Sequence, residues 1–79
     1  MKNIEDFNVD EFHKKIGNNV KNLREQKGLT QLELSHAIGH KSVSIISNGE
    51  IYHNKSRFNL EHLGKIAFVL DVKIEEFFK

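Results

Sequence analysis

Residues 29–50 read Leu29-Thr30-Gln31-Leu32-Glu33-Leu34-Ser35-His36-Ala37-Ile38-Gly39-His40-Lys41-Ser42-Val43-Ser44-Ile45-Ile46-Ser47-Asn48-Gly49-Glu50. Thr30 and Glu33 have the spacing of a capping box, and Leu29 can staple to Leu34 across it, so a helix opens at Gln31. Leu34, Ala37 and Ile38 make its buried stripe. Gly39 ends it after about two and a half turns. Ser42 is the next N-cap, and Ile46 is the inward residue one turn into a second short helix. The end of that helix is open, because Asn48-Gly49 is also a turn signal. Two short helices, each with its own cap and joined by a glycine turn, make a helix-turn-helix.

The flanks extend the same pattern. Upstream, Asn8 and Glu11 are spaced as a capping box with Asn in the first place. Phe12, Ile16, Val20 and Leu23 then recur every three or four residues, which is one face of a helix, and Gly28 supplies its stop. Met1 to Phe7 is expected to be a loose arm, with residues 8–79 forming the domain. Downstream, Ile51 to Arg57 reads as a polar loop. Asn59 is an N-cap with Phe58 and Leu63 placed to staple, and Leu63, Ile66, Ala67 and Leu70 form the next stripe. Ile74 to Phe78 is a single short helix, with Val72 and Phe77 as its staple. No run alternates as a strand does. The expectation is an all-α fold, a compact five-helix bundle.

The chain has 79 residues, room for one domain. It has no cysteine, which excludes disulfides and thiolate metal sites. Its apolar runs are too short to cross a bilayer, and no charged segment followed by an apolar one opens the sequence, so a cytoplasmic location is expected. The net charge is only +1, and its distribution says more. Glu5, Asp6, Asp10 and Glu11 make the start acidic, and Asp71, Glu75 and Glu76 the end. Between Gly39 and Asn59, Lys41, Lys55 and Arg57 face Glu50 alone, so the basic middle could draw a polyanion to one face. His36 and His40 are four apart, but Gly39 interrupts the helix between them, so no metal site is expected. There is no nucleophile–base set and no paired carboxylates, so neither an enzyme nor a cofactor is expected.

A helix fits the major groove of duplex DNA, and a second helix lying across the backbone fixes its approach. The candidate contacts follow from that geometry. Gln31 sits at a helix N-terminus, suited to clamp a phosphate. Lys41 and Ser42 stand at the mouth of the next helix, which exposes Val43, Ser44, Ser47 and Asn48. Ser and Asn can hydrogen-bond base edges, and Val43 can meet a thymine methyl. Asn54, Lys55, Ser56 and Arg57 suit backbone or minor-groove contact.

On these residues the sequence resembles the lambda-type repressor and Cro family. The matching text is Leu29-Thr30-Gln31-x-Glu33-Leu34, Ala37-Ile38-Gly39 and Ile46-Ser47-x-x-Glu50, then Lys65-Ile66-Ala67-x-x-Leu70-x-Val72 and Glu75-Glu76-Phe77-Phe78. Arg57-Phe58-Asn59-Leu60 resembles the entry to the fourth helix of small phage repressors. The resemblance implies a five-helix bundle, a phosphate clamp at Gln31 and base contacts from Val43, Ser44, Ser47 and Asn48. It also implies a transcriptional regulator, most simply a repressor, bound as a dimer to a pseudo-palindromic operator. Three features depart from the family pattern. The turn Gly39-His40-Lys41 is one residue longer, since alignment without an insertion would expose Ile46 and bury the Asn48 amide. Gly49 replaces an aliphatic residue, which costs about 1 kcal/mol against Ala and gives up core volume. The reading helix also lacks long Gln or Arg side chains, so readout is expected to be short-range or to lean on DNA shape.

Phe68 points away from the fourth stripe, and Val69 leaves it on the other flank. With Val72 and Phe78 they form the expected dimer interface, the alternative being that Phe68 folds under the arm against Phe7. Three rival readings stand beside the repressor: an antitoxin whose toxin partner docks on the Phe7 arm or Phe77-Phe78, a restriction–modification controller, and a helical interaction module without DNA binding. A polymerase contact would accompany regulation.

Overall fold

The computed structural model describes residues 1–79. It contains four α-helices and three 3-10 turns and no strand: α1 (Val9–Gln26), α2 (Gln31–Ala37), α3 (Ser44–Ile51) and α4 (Leu60–Leu70), with turns at Ile4–Asp6, His53–Lys55 and Ile74–Phe78. The all-α class holds, but the bundle has four helices rather than five. The C-terminal segment winds as a 3-10 turn of 5 residues, too short to gain from an α-helical ladder. It still anchors the chain end. Phe77 is fully buried, and the Asn19 amide donates to the Phe77 and Lys79 carbonyls at 2.9 and 3.0 Å. No helix is long and apolar enough to cross a membrane.

The expected caps form. Asn8 accepts from the Glu11 N–H, Thr30 and Glu33 make the reciprocal box, and Asn59 does the same with His62 at the third helical position. Gly28 and Gly39 take φ of +74° and +93°, the left-handed geometry that glycine adopts without a Cβ clash. The core joins Ile16 and Val20 of α1, Leu34 and Ile38, Ile46, Phe58, and Leu63, Ile66, Ala67 and Leu70 of α4 around Phe77.

Four local expectations are corrected. Phe12 is 41% exposed and stands outside the core, which α1 enters only from Ile16 onward. There Phe12 meets the Phe7 ring at 5.5 Å. In α2 the buried companion of Leu34 and Ile38 is Ser35, while Ala37 is exposed. Ser35 tolerates burial because its hydroxyl donates to the Ser42 carbonyl. The segment after Gly49 is not simply a polar loop. The helix runs to Ile51, and Tyr52 ends it in a left-handed conformation with its ring buried. Gly49 also leaves no empty volume. A Cβ there would lie 2.6 Å from the Phe58 ring, so Phe58 fills the space.

A second glycine sets the helix geometry. A Cβ on Gly17 would lie 2.7 Å from the Glu50 carbonyl oxygen and closer still to that of Gly49. The backbones of α1 and α3 therefore touch, and α3 is held against the longest helix in the fold.

Candidate nucleic-acid interface

The turn between α2 and α3 is fixed from several sides. The His40 N–H donates to the Ser35 carbonyl at 3.0 Å, and a His36 ring nitrogen lies 3.2 Å from the Lys41 carbonyl. The Ser42 hydroxyl accepts from the Ser44 N–H at 3.1 Å and lies 2.8 Å from the Ser44 hydroxyl. Ser42 thus bonds the start of α3 from the turn before it, but the N-cap expected there falls one residue later: regular helix begins at Ser44, and Val43, already in helical geometry, precedes it with no side-chain cap. Ile46 is fully buried and Asn48 is not, as the longer turn requires.

With Ile46, Gly49 and Glu50 inward, α3 turns its other side outward. Val43 and Ser44 are exposed, and Ser47 and Asn48 are half-buried. Ser44 and Asn48 line a cleft of about 290 Å³ whose far wall is Ser56, Arg57 and His62. The structure therefore brings Ser44, Asn48 and Arg57 together, with Lys41, Ser42 and Val43 at the α3 N-terminus. Lys55 is placed elsewhere. It follows Asn54 in the turn after Tyr52, and all three have positive φ (57°, 50° and 63° for Tyr52, Asn54 and Lys55). Non-glycine residues rarely hold that geometry without support. The support is Tyr52, whose hydroxyl donates to Asp10 at 2.9 Å and whose ring stacks on His13 at 5.6 Å.

Gln31 is half-buried, and its amide nitrogen donates to Glu50 at 2.9 Å. The partner of Glu50 is Arg24, through two contacts of 2.6 and 3.1 Å, and a further guanidinium nitrogen donates to the Leu29 carbonyl at 2.7 Å. This buried network ties α1, α2 and α3 together. The carboxylate beside Arg24 raises the arginine pKa above its ordinary value, so the guanidinium stays charged. It also means that the one acid of the basic middle segment is neutralised inside the fold, leaving Lys41, Lys55 and Arg57 unopposed within that segment.

Sequence reasoning missed Arg24 and His62. Arg24 follows Val20 by one turn on a buried face, the available clue that it needed a buried acid. His62 caps Asn59 through Nδ1, at 3.2 Å, and meets the His40 ring edge-on at 5.7 Å. Burial, then the nearby His40, lowers its pKa. Of the expected dimer residues, Phe68 is 87% exposed. With Val69 it lines an apolar groove of about 500 Å³ that also includes Ala37, Ile38 and Gly64. Val72 is half-buried against the core and Phe78 is exposed at the chain end.

Residues 20–77 match the Helix-turn-helix family model, which is most of the chain and includes α2, the turn and α3. The chain belongs to the Cro/C1-type helix-turn-helix family of DNA-binding transcription regulators. Among solved structures, it resembles the restriction–modification controller protein C.AhdI from Aeromonas hydrophila, with 29% identity, 82% of this chain and 94% of that one covered, and a TM-score of 0.72. It is similar to the N-terminal DNA binding domain of SinR from Bacillus subtilis, with 28% identity, 85% and 94% coverage and a TM-score of 0.72. The DNA-binding domain of BldD shares the fold, with a TM-score of 0.76 over 91% of this chain and 100% of that one, at 18% identity. No curated protein sequence matches. The helix-turn-helix assignment thus rests on a family match over residues 20–77 and on the α2, turn and α3 geometry that lies inside that range.

Proposed function

We propose that this helix-turn-helix protein is a repressor that acts in the cytoplasm by laying α3 in the major groove of a pseudo-palindromic operator, one copy per half-site. The observation that carries the reading is the cleft joining Ser44 and Asn48 of α3 to Arg57. It sets short base-reading side chains beside a cation suited to the adjacent phosphate. Lys41 and the α3 N-terminus meet the backbone on the other side, with Ser42, Val43 and Ser47 completing the reading face. One N–H of the Gln31 amide is taken by Glu50 and the second is free for a phosphate. Asn54 and Lys55 extend the backbone contact.

The dimer is proposed through Phe68, the most exposed large hydrophobic side chain outside the arm. A two-fold axis would seat each Phe68 in its partner's groove beside Val69, with Val72 and Phe78 at the rim, a self-complementary contact. Selection of bound sequences from a random duplex pool tests the reading. A defined motif should emerge. Ser44→Ala and Asn48→Ala should relax it at single positions, by roughly 1–3 kcal/mol for each good contact. Phe68→Lys should give a folded monomer by sedimentation that occupies half-sites without cooperativity. A pool that shows no enrichment refutes the function, and a variant that sediments as wild type does moves the interface elsewhere. The resemblance to C.AhdI favours a second reading, a restriction–modification controller. A palindrome from the selection that lies upstream of a neighbouring methyltransferase gene would decide for it.

A further inference from the structure

The acidic start and the basic loop are far apart in sequence, yet Glu5, Asp6, Asp10, Tyr52, Lys55 and Arg57 line one open cleft of about 550 Å³. A sphere of that volume is about 10 Å across, one Debye length at about 0.1 M salt, so the charges on its walls feel each other. The ion pairs of the fold are Lys14–Glu11, Arg24–Glu50, Lys65–Glu61 and Lys79–Glu76. Glu5, Asp6, Lys55 and Arg57 belong to none of them. Asp10 is committed to Tyr52. Glu5 and Asp6 lie on the 3-10 turn Ile4–Asp6, whose cap is Asn3, and no residue from 1 to 8 is buried. The arm rests on the domain through Phe7, which meets Phe12 and is itself 51% exposed. An element with so little buried apolar surface opens at low free energy.

We propose that the acidic arm is an intramolecular competitor for the phosphate-binding side chains Lys55 and Arg57, resting beside them in the free protein and displaced when a polyanion enters the cleft. The proposal rests on the reading that these two side chains meet DNA phosphates. Glu5 and Asp6 set a local negative field where a phosphate must arrive, so free DNA is attracted less than the cation count implies. The arm then tunes affinity without touching the base-reading face of α3.

The test compares wild type with Glu5→Gln/Asp6→Asn, two exposed positions that leave Asp10 and the core intact. The probes are a mixed-sequence duplex about two helical turns long and inorganic polyphosphate, which reports on the cationic cleft whatever the role of DNA. The variant should bind both about two- to fivefold more tightly at about 20 mM salt, with the gain vanishing at about 500 mM. On a Lys55→Ala/Arg57→Ala background the gain should disappear. A gain for polyphosphate, with no duplex binding by any form, supports the arm's competition and overturns the DNA reading. Unchanged affinity for both probes, or a gain that survives on the Lys55→Ala/Arg57→Ala background, overturns the arm's competition while leaving the DNA reading to stand on the duplex result.

Discussion

Replacing Gly17 by alanine sets two effects of known size against each other. In a helix interior Ala is favoured over Gly by about 0.8–1 kcal/mol, so helix propensity alone predicts a more stable protein. The added Cβ would lie 2.7 Å from the Glu50 carbonyl oxygen and 3.0 Å from its carbon. Both are short of the roughly 3.5 Å at which non-bonded heavy atoms rest. The obstacles are backbone atoms of α3, so no rotamer change relieves them. The helices must part by roughly 0.5–1 Å, which forfeits a quarter to a half of the contact energy along the seam. Overpacking of this kind costs about 1–3 kcal/mol. The Arg24–Glu50 contact, 2.6 Å across the same pair of helices, adds to the strain. With the cost at its upper end, the net loss is about 2 kcal/mol, or a fall in Tm of roughly 8–16 °C for a domain of this size. Gly64→Ala is the matched control. A Cβ there meets nothing within 4 Å, so the propensity gain should survive and raise Tm by a few degrees. Thermal and urea melts followed by circular dichroism read both. A Gly17→Ala protein that melts at or above wild type, with an unchanged urea slope, would refute the close helix contact.

Glu50→Ala should cost about 3–5 kcal/mol in urea melts, because it leaves the Arg24 guanidinium buried without its acid. Arg24→Met/Glu50→Leu should recover most of that loss, and a single-variant cost under about 1 kcal/mol would show that the pair holds nothing. Burial is the largest cause lowering the pKa of both His62 and His13, followed by His40 for the first and Arg57 for the second. The unfolded chain therefore takes up protons first as pH falls through about 6.5. The contribution of the neutral rings is complete above that pH, declines below it, and levels off once the folded rings are also protonated. His62→Gln keeps a side-chain acceptor for the Asn59 cap and should lose less stability than wild type across that window. An equal loss would show that His62 does not titrate there.

Much of the fold was legible because its signals are local. Caps at Asn8, Thr30 and Asn59 depend on residues three places apart, and each appears where the spacing put it; the cap expected at Ser42 falls instead on Val43, which makes no side-chain cap hydrogen bond. The register of α3 was legible for a different reason. Burying Ile46 and keeping Asn48 out of the core is the arrangement that leaves no amide unpaired, and burial energetics chose it without a structure. The stripe of α2 was misread by one position, because a serine with a carbonyl partner can be buried as readily as an alanine, and that carbonyl belongs to Ser42 beyond the turn.

The rest was hidden because it depends on pairs distant in sequence. Gly49 read as a loss until Phe58 was seen to fill the space, and Gly17 gave no sign of its role, since only the crossing of α1 and α3 requires it. Glu50 read only as the one acid against Lys41, Lys55 and Arg57; Arg24, 26 residues earlier, makes it a buried structural one. Charge ordering along the chain misled in the opposite sense. Acidic ends and a basic middle suggested separate faces, but the Tyr52 hydroxyl reaches across 42 residues to Asp10. That contact draws the basic loop against the start of α1, where the acidic arm ends. Segregation in sequence became juxtaposition in space, with Glu5 and Asp6 lining the same cleft as Lys55 and Arg57.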